Sequence, residues 1–142
     1  MKRTVRTAIA IVLVIAAILT LAACAKVPPE GLWESATYRN DMTFGGGAKT
    51  IEVIVEAGEY SVIFTVKTDK DTLADALVEH GLISGEETQY GLSVYYVNGI
   101  KADWNTDGAY WAVYEGADYA TTGVSFIEIE DGDSFKLAYT VY

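Results

Sequence analysis

The chain has 142 residues, a length that accommodates one small folded domain and leaves little room for a second. It carries 20 acidic and 10 basic residues, and its formal net charge of −10 argues against a nucleic-acid partner, because such a surface repels phosphates. Its one cysteine excludes an internal disulfide and a metal site built from several thiolates.

Residues 1–23 are typical of a secretory signal peptide, because three basic residues precede an apolar run from Ala8 to Ala23. A membrane-spanning helix needs about 20 apolar residues, and this run is shorter. It ends in Leu21-Ala22-Ala23-Cys24, which resembles the lipobox of bacterial lipoproteins. The resemblance implies lipid on the Cys24 sulfur, cleavage before Cys24, and an exported protein anchored to a membrane and facing outside the cytoplasm. An uncleaved amino-terminal anchor is the alternative.

Residues 24–48 are predicted to form a lipidated linker, because Pro28-Pro29 and Gly45-Gly46-Gly47 interrupt any regular period. Three aromatic residues are exceptions that can pack back on the domain: Trp33, Tyr38 and Phe44. Without the basic leader, the mature chain has seven basic residues against twenty acidic ones, a net charge near −13. Such a charge keeps the domain soluble and repels anionic headgroups.

Residues 49–142 are predicted to form the folded domain. Alternating apolar residues at 51–55 and 60–66 indicate a hairpin, and Asp71-Thr72 and Gly81 are typical of the two ends of a helix. Further strands are predicted at 92–97, 109–114 and 135–141, with short ones near residues 119 and 126. The order β-β-α-β-β-β predicts an α+β fold, a β-grasp-like mixed sheet with one helix packed on one face.

Aromatic residues are concentrated in the middle of this domain, where eight lie between Tyr90 and Tyr119. Within strand 109–114, Tyr110 and Trp111 point to opposite faces because side chains alternate along a strand. One helix covers only one face, so part of this aromatic surface is expected to be exposed and available for binding. The alternative is that the rings close a small core, and the pattern alone does not decide between the two.

Four short motifs resemble one family: Val97-Asn98-Gly99-Ile100, Tyr110-Trp111, Gly123-Val124 and Asp131-Gly132-Asp133. In this order they are similar to the transcobalamin-like carboxy-terminal domain, the β-domain of transcobalamin and intrinsic factor. The resemblance covers roughly residues 50–142. It implies a domain that packs against one side of cobalamin.

The same resemblance nominates ligand-contacting residues, namely Trp111 and Val113, together with Asn98 and Tyr110. Aromatic side chains provide a large contact area for a flat ligand, and backbone amides can form hydrogen bonds with the polar groups at its edge. In the vitamin carriers a large helical barrel supplies the second wall, and this chain has no such barrel. A one-sided site is expected to bind more weakly unless a partner protein completes it. His80 is expected to pack against the sheet and not to ligate a metal.

The segment Asp103-Trp104-Asn105-Thr106-Asp107-Gly108 matches the first half of a calcium-binding loop, which places oxygen ligands at alternating positions. The bidentate glutamate that should complete the loop is replaced by Tyr114. Asp103, Asn105 and Asp107 are therefore candidate calcium ligands in an incomplete loop, and we do not expect calcium to be required. The alternative is that these side chains cap their own backbone.

Catalysis is the least supported class, because no nucleophile–base set or nucleotide loop is present and the carboxylates are scattered. The sequence therefore predicts a non-enzymatic lipoprotein without a required cofactor. The first hypothesis is that its domain captures a small ligand, most plausibly cobalamin or another corrinoid, for handover to a transporter or partner protein. The second is an envelope interaction module whose aromatic face docks a protein or glycan.

Overall fold

A computed structural model describes residues 25–142 of the chain. The predicted signal peptide and Cys24 lie outside the described residues. Within residues 25–142 no helix is both long and apolar enough to span a membrane.

The larger of two sheets has six strands. Their order across the sheet is β1 (Met42–Gly45), β3 (Tyr60–Thr68), β2 (Lys49–Ala57), β9 (Ser134–Val141), β7 (Ala109–Glu115) and β8 (Asp118–Tyr119). Strands β1 and β9 run parallel to β3 and β2 respectively, and the other neighbours are antiparallel.

Strands β2 and β3 form the predicted hairpin. Apolar side chains at alternate positions of both strands determine which face of the sheet is buried. Val53 lies opposite Phe64 in β3 and opposite Phe135 in β9, and all three side chains are buried. Because a shift of one residue would turn these side chains to solvent, burial fixes the register. We call this buried side the inner face and the opposite side the outer face.

The second sheet and one helix cover the inner face. The sheet has three antiparallel strands in the order β4 (Ile83–Thr88), β5 (Gly91–Val97) and β6 (Ile100–Lys101). Helix α1 (Leu73–Val78) begins after Thr72, whose hydroxyl accepts a hydrogen bond from the Asp75 N–H. Its buried side chains, Leu73, Ala74, Ala76 and Leu77, belong to the single core cluster. The predicted mixed α+β fold with a helix on one face is therefore confirmed.

The segment predicted to be a linker is part of the folded unit. Val27 and Trp33 are each 1% exposed, and the Trp33 indole N–H donates a 2.8 Å hydrogen bond to the Ala57 carbonyl. A short 3-10 turn, Gly31–Ser35, positions this ring, and β1 extends the sheet. The packing of Trp33 against the domain agrees with the sequence prediction. The burial of Val27 and the presence of β1 were not predicted, because the neighbouring prolines and glycines interrupt the apolar pattern.

Two further elements differ from the prediction. The segment near residue 126 was expected to be a strand and is instead a 3-10 turn, Val124–Phe126. The turn directs the Val124 side chain into the core. Strand β4 was not predicted, since five of its six residues are exposed and polar or small, which gives no apolar alternation. His80 follows helix α1, and its ring lies 5.8 Å from that of Phe44 in β1, consistent with a packing role.

Candidate ligand-binding surfaces

The residues nominated on strand β7 do not share one surface. Trp111 and Val113 lie on the inner face, opposite Tyr139 and Leu137 of β9. The Trp111 and Tyr139 rings meet edge to face at 5.5 Å, and Trp111 is only 6% exposed. Strand β5 lies against β7, so most of the Trp111 ring packs in the core.

Tyr110 and Asn98 are separated from that pair. Tyr110 points to the outer face, where its ring lies 6.2 Å from that of Trp104. Asn98 is 1% exposed in the turn between β5 and β6, and its side-chain amide is fully engaged with the backbone of Tyr38. The four nominated residues therefore do not converge on one site in this structure.

The calcium-like segment forms helix α2 (Trp104–Asp107), and its acidic side chains cap that helix. The Asp103 carboxylate accepts a 2.8 Å hydrogen bond from the Asn105 N–H, and the Asp107 carboxylate accepts one of 3.0 Å from the Asp103 N–H. In the part of the chain that the structure describes, no three His, Cys, Asp or Glu side chains are grouped closely enough to hold a metal ion. The expectation that calcium does not bind at Asp103, Asn105 and Asp107 stays a prediction, which a calorimetric titration can test.

A shallow pocket of about 370 Å³ lies beside Tyr139, between the 3-10 turn Gly31–Ser35 and strand β6. Asp107 and Lys101 also line it. Burial, together with the nearby negative charge of Asp107, raises the pKa of the Tyr139 hydroxyl, so this phenol stays protonated well above neutral pH. The pocket thus offers a phenol donor, a carboxylate and an ammonium beside the apolar side chains of Leu32 and Ile100.

A larger pocket of about 600 Å³ lies at the tip of the β4–β5 hairpin, lined by residues 88–93 and Gly123. This volume is within the range typical of small-molecule sites, roughly 300–1,000 Å³. Two aromatic side chains of this region are exposed, Tyr90 at 76% and Phe126 at 61%. We call this concavity and these two rings the hairpin site.

The hairpin tip is held in place by specific contacts with the turn that contains Phe126. The Leu92 N–H donates a 3.0 Å hydrogen bond to the Ser125 hydroxyl. Gly91 has a φ of +89°, and a β-carbon at this position would lie 2.7 Å from that of Ser125, so only glycine allows this approach. A site whose walls are fixed before binding loses less conformational entropy on binding.

Backbone geometry also shapes this hairpin. The pairing of β4 with β5 is irregular between Ser84 and Gly85, and a β-carbon on Gly85 would collide with the Ser93 carbonyl. Strand β4 is an edge strand of its sheet, and its last residue, Thr88, lines the pocket. The sequence drew attention to two residues of this site, Tyr90 as one of the eight clustered aromatic residues and Gly123 as part of the Gly123-Val124 motif. The contact with Ser125 could not be inferred, because 33 positions separate it from Leu92.

No family model matches the chain, and no curated protein is significantly similar to it. Among solved structures, a suspected metal-binding protein from Ruminococcus gnavus ATCC 29149 is similar, with a TM-score of 0.63 and 28% sequence identity. The match covers 67% of this chain and 99% of that one.

Haptocorrin in complex with Cbi is also similar, with a TM-score of 0.56 and 16% identity over 70% of this chain. The match covers only 27% of haptocorrin, so this chain corresponds to about a quarter of that protein. Haptocorrin belongs to the transcobalamin family. The described domain therefore has a transcobalamin-like fold.

Proposed function

We propose that this protein is a lipoprotein, anchored through Cys24 and facing outside the cytoplasm, whose domain binds a corrinoid at the hairpin site. The observation that carries the proposal is the pocket of about 600 Å³ at the hairpin tip, in a domain with the fold of a protein crystallised with Cbi. The proposed role is binding and not catalysis.

The chemistry of the hairpin site suits a large, flat ligand with an amide fringe. The exposed rings of Tyr90 and Phe126 offer apolar contact area that loses little conformational entropy on binding. Thr88 and Gln89 line the same pocket and offer a hydroxyl and a side-chain amide for the ligand's amide groups. A corrin ring contacted on one side would leave its other side for a second protein, such as a transporter.

Trp111 and Val113 contribute to this site indirectly. Both lie on the inner face beneath the second sheet, to which the hairpin belongs. Their packing supports the position of β5 and hence of the hairpin tip. Replacing Trp111 would therefore affect stability before it affects contact with a ligand.

The anchor would hold the domain close to the membrane. Only Ala25 and Lys26 separate Cys24 from Val27, which is buried in the core. Lys26 also contacts the domain, since its ammonium group lies 2.9 Å from the Asp41 carboxylate. A bound corrinoid would thus remain within reach of a membrane transporter.

A thermal-shift screen of residues 25–142 tests the proposal, because a ligand that binds only the folded state raises its apparent stability. This fragment contains the whole core cluster, which extends from Val27 to Leu137. We expect cobinamide and cobalamin to raise the melting temperature, and other tetrapyrroles, sugars and calcium to have smaller effects. A rise with calcium or a sugar and none with corrinoids would contradict the proposal.

A further inference from the structure

A row of aromatic side chains crosses the outer face near the β7–β8 edge of the larger sheet. It consists of Tyr142, Trp104, Tyr110, Tyr119 and Tyr114. Ring centroids lie 4.4 Å apart between Trp104 and Tyr142, 6.2 Å between Trp104 and Tyr110, and 5.4 Å between Tyr114 and Tyr119. Burial, followed by the nearby Tyr110, raises the pKa of the Tyr119 phenol. We call this set the outer aromatic row.

This row is separate from the hairpin site. The second sheet packs on the inner face of β7, whereas Tyr110 and Tyr114 point to the outer face. Within residues 25–142 much of the row is open to solvent, with Trp104 51% exposed, Tyr119 57% and Tyr142 88%. Contiguous exposed rings of this kind commonly mark interaction surfaces.

The rings of the row can attract a cationic group. Asp103 immediately precedes Trp104 in the chain, whereas Glu115 and Asp118, which pair between β7 and β8, alternate to the inner face. A cation already occupies one ring face, because the Lys136 ammonium lies 4.6 Å from the centroid of Tyr114. Exposed ring faces attract cationic groups through the ring quadrupole.

We infer that the outer aromatic row docks a lysine- or arginine-rich segment of another protein. Charge complementarity favours this occupant, since residues 25–142 contain twenty acidic and seven basic side chains. A second copy of the chain would bring the same negative charge to the contact, and an anionic membrane surface would be repelled. Tyrosine, tryptophan and arginine are the residues that most often dominate protein interfaces.

The position of the row in the sheet keeps it accessible in an anchored protein. The chain enters the domain at Lys26, which pairs with Asp41 directly before β1. Strands β1 and β8 are the opposite edges of the six-stranded sheet. The row therefore lies at the edge remote from the point where a lipid anchor would attach.

The distribution of tryptophans allows a direct measurement. Trp33 and Trp111 are buried, at 1% and 6% exposure, so Trp104 is the tryptophan that a bound segment can contact. We would titrate residues 25–142 with a lysine- and arginine-rich peptide and follow tryptophan emission and calorimetric heat. A peptide of equal length with glutamine at each basic position, and a neutral oligosaccharide, serve as comparisons. We expect saturable binding of the basic peptide only.

Two variants separate ring contact from general charge attraction. Tyr119→Ser removes an exposed ring without changing the net charge, and we expect about 10-fold weaker peptide binding. We expect Trp104→Ser to weaken peptide binding by a similar factor. Because this variant lacks the reporting tryptophan, its binding is measured by calorimetry. Tyr90→Ser removes an exposed ring of the hairpin site and should leave peptide binding unchanged.

Equal peptide binding by wild type and both row variants would overturn the inference, because it would show attraction to the acidic surface alone. Binding of the oligosaccharide in place of the basic peptide would also overturn it. Corrinoid binding should be unaffected by Tyr119→Ser, so the inference and the proposed function can fail separately.

Discussion

Asn98 binds the backbone of Tyr38 through both groups of its side-chain amide, although 60 positions separate the two residues. The amide oxygen accepts a 2.9 Å hydrogen bond from the Tyr38 N–H, and the amide nitrogen donates one of 2.7 Å to the Tyr38 carbonyl. Asn98 also has a φ of +53°, a conformation that asparagine tolerates better than most residues. One side chain thus joins the β5–β6 turn to the amino-terminal segment.

Replacing Asn98 should separate its two roles. Asn98→Gly keeps the backbone conformation accessible but removes both hydrogen bonds, and we expect a loss of about 2–3 kcal/mol in the free energy of unfolding. Asn98→Ala adds backbone strain and should lose more. Chemical denaturation measures both values. Equal stability of wild type and Asn98→Gly would contradict the role of the amide.

The amino-terminal segment should be required for stability. Trp33→Ala removes a buried ring and its hydrogen bond to Ala57, with an expected loss of roughly 3–5 kcal/mol. A fragment of residues 48–142 lacks both Val27 and Trp33 and should be less stable than residues 25–142 in a thermal melt. Similar melting temperatures for the two fragments would show that the segment is only a linker.

The two buried tryptophans should respond differently to the same substitution. The Trp33 indole N–H has a partner, the Ala57 carbonyl, whereas the Trp111 indole nitrogen is buried without a hydrogen-bond partner among residues 25–142. Trp33→Phe therefore loses a hydrogen bond that Trp111→Phe does not, and it should be more destabilising by about 1 kcal/mol. Denaturation of both variants tests this difference, and the reverse order would contradict it.

Asp41 should make stability depend on acidic pH. Hydrogen bonds from the Lys26 ammonium and then from the Ile63 N–H lower the pKa of this carboxyl below its usual value of 3.8. A lowered pKa in the folded state stabilises the fold above the unfolded pKa, and that stabilisation is lost as the pH falls through the folded value.

Asp41→Asn is the matched variant, because asparagine keeps an oxygen acceptor and loses the charge. The difference in unfolding free energy between wild type and Asp41→Asn should be present near neutral pH and shrink below a pH of about 4. A difference that stays constant across that range would show that the charge of Asp41 has no part in stability.

Local patterns predicted the elements in which burial follows a regular period. Ile51, Val53 and Val55 alternate because one face of β2 is buried, and Thr72 is a strong helix start signal. The hairpin site was not predictable, because it depends on the contact of Leu92 with Ser125, made by residues distant in the chain. Trp111 was nominated from its motif, but only tertiary packing reveals that its ring lies against Tyr139.

Calorimetric titration of residues 25–142 with cobinamide tests directly whether the hairpin site binds a corrinoid. Wild type should show saturable binding, and the double substitution Tyr90→Ser with Phe126→Ser should weaken it about 10-fold or more, since both exposed rings are removed. Tyr119→Ser, on the outer face, should match wild type. The absence of saturable heat up to millimolar cobinamide, or equal binding by the double variant, would contradict the proposed site.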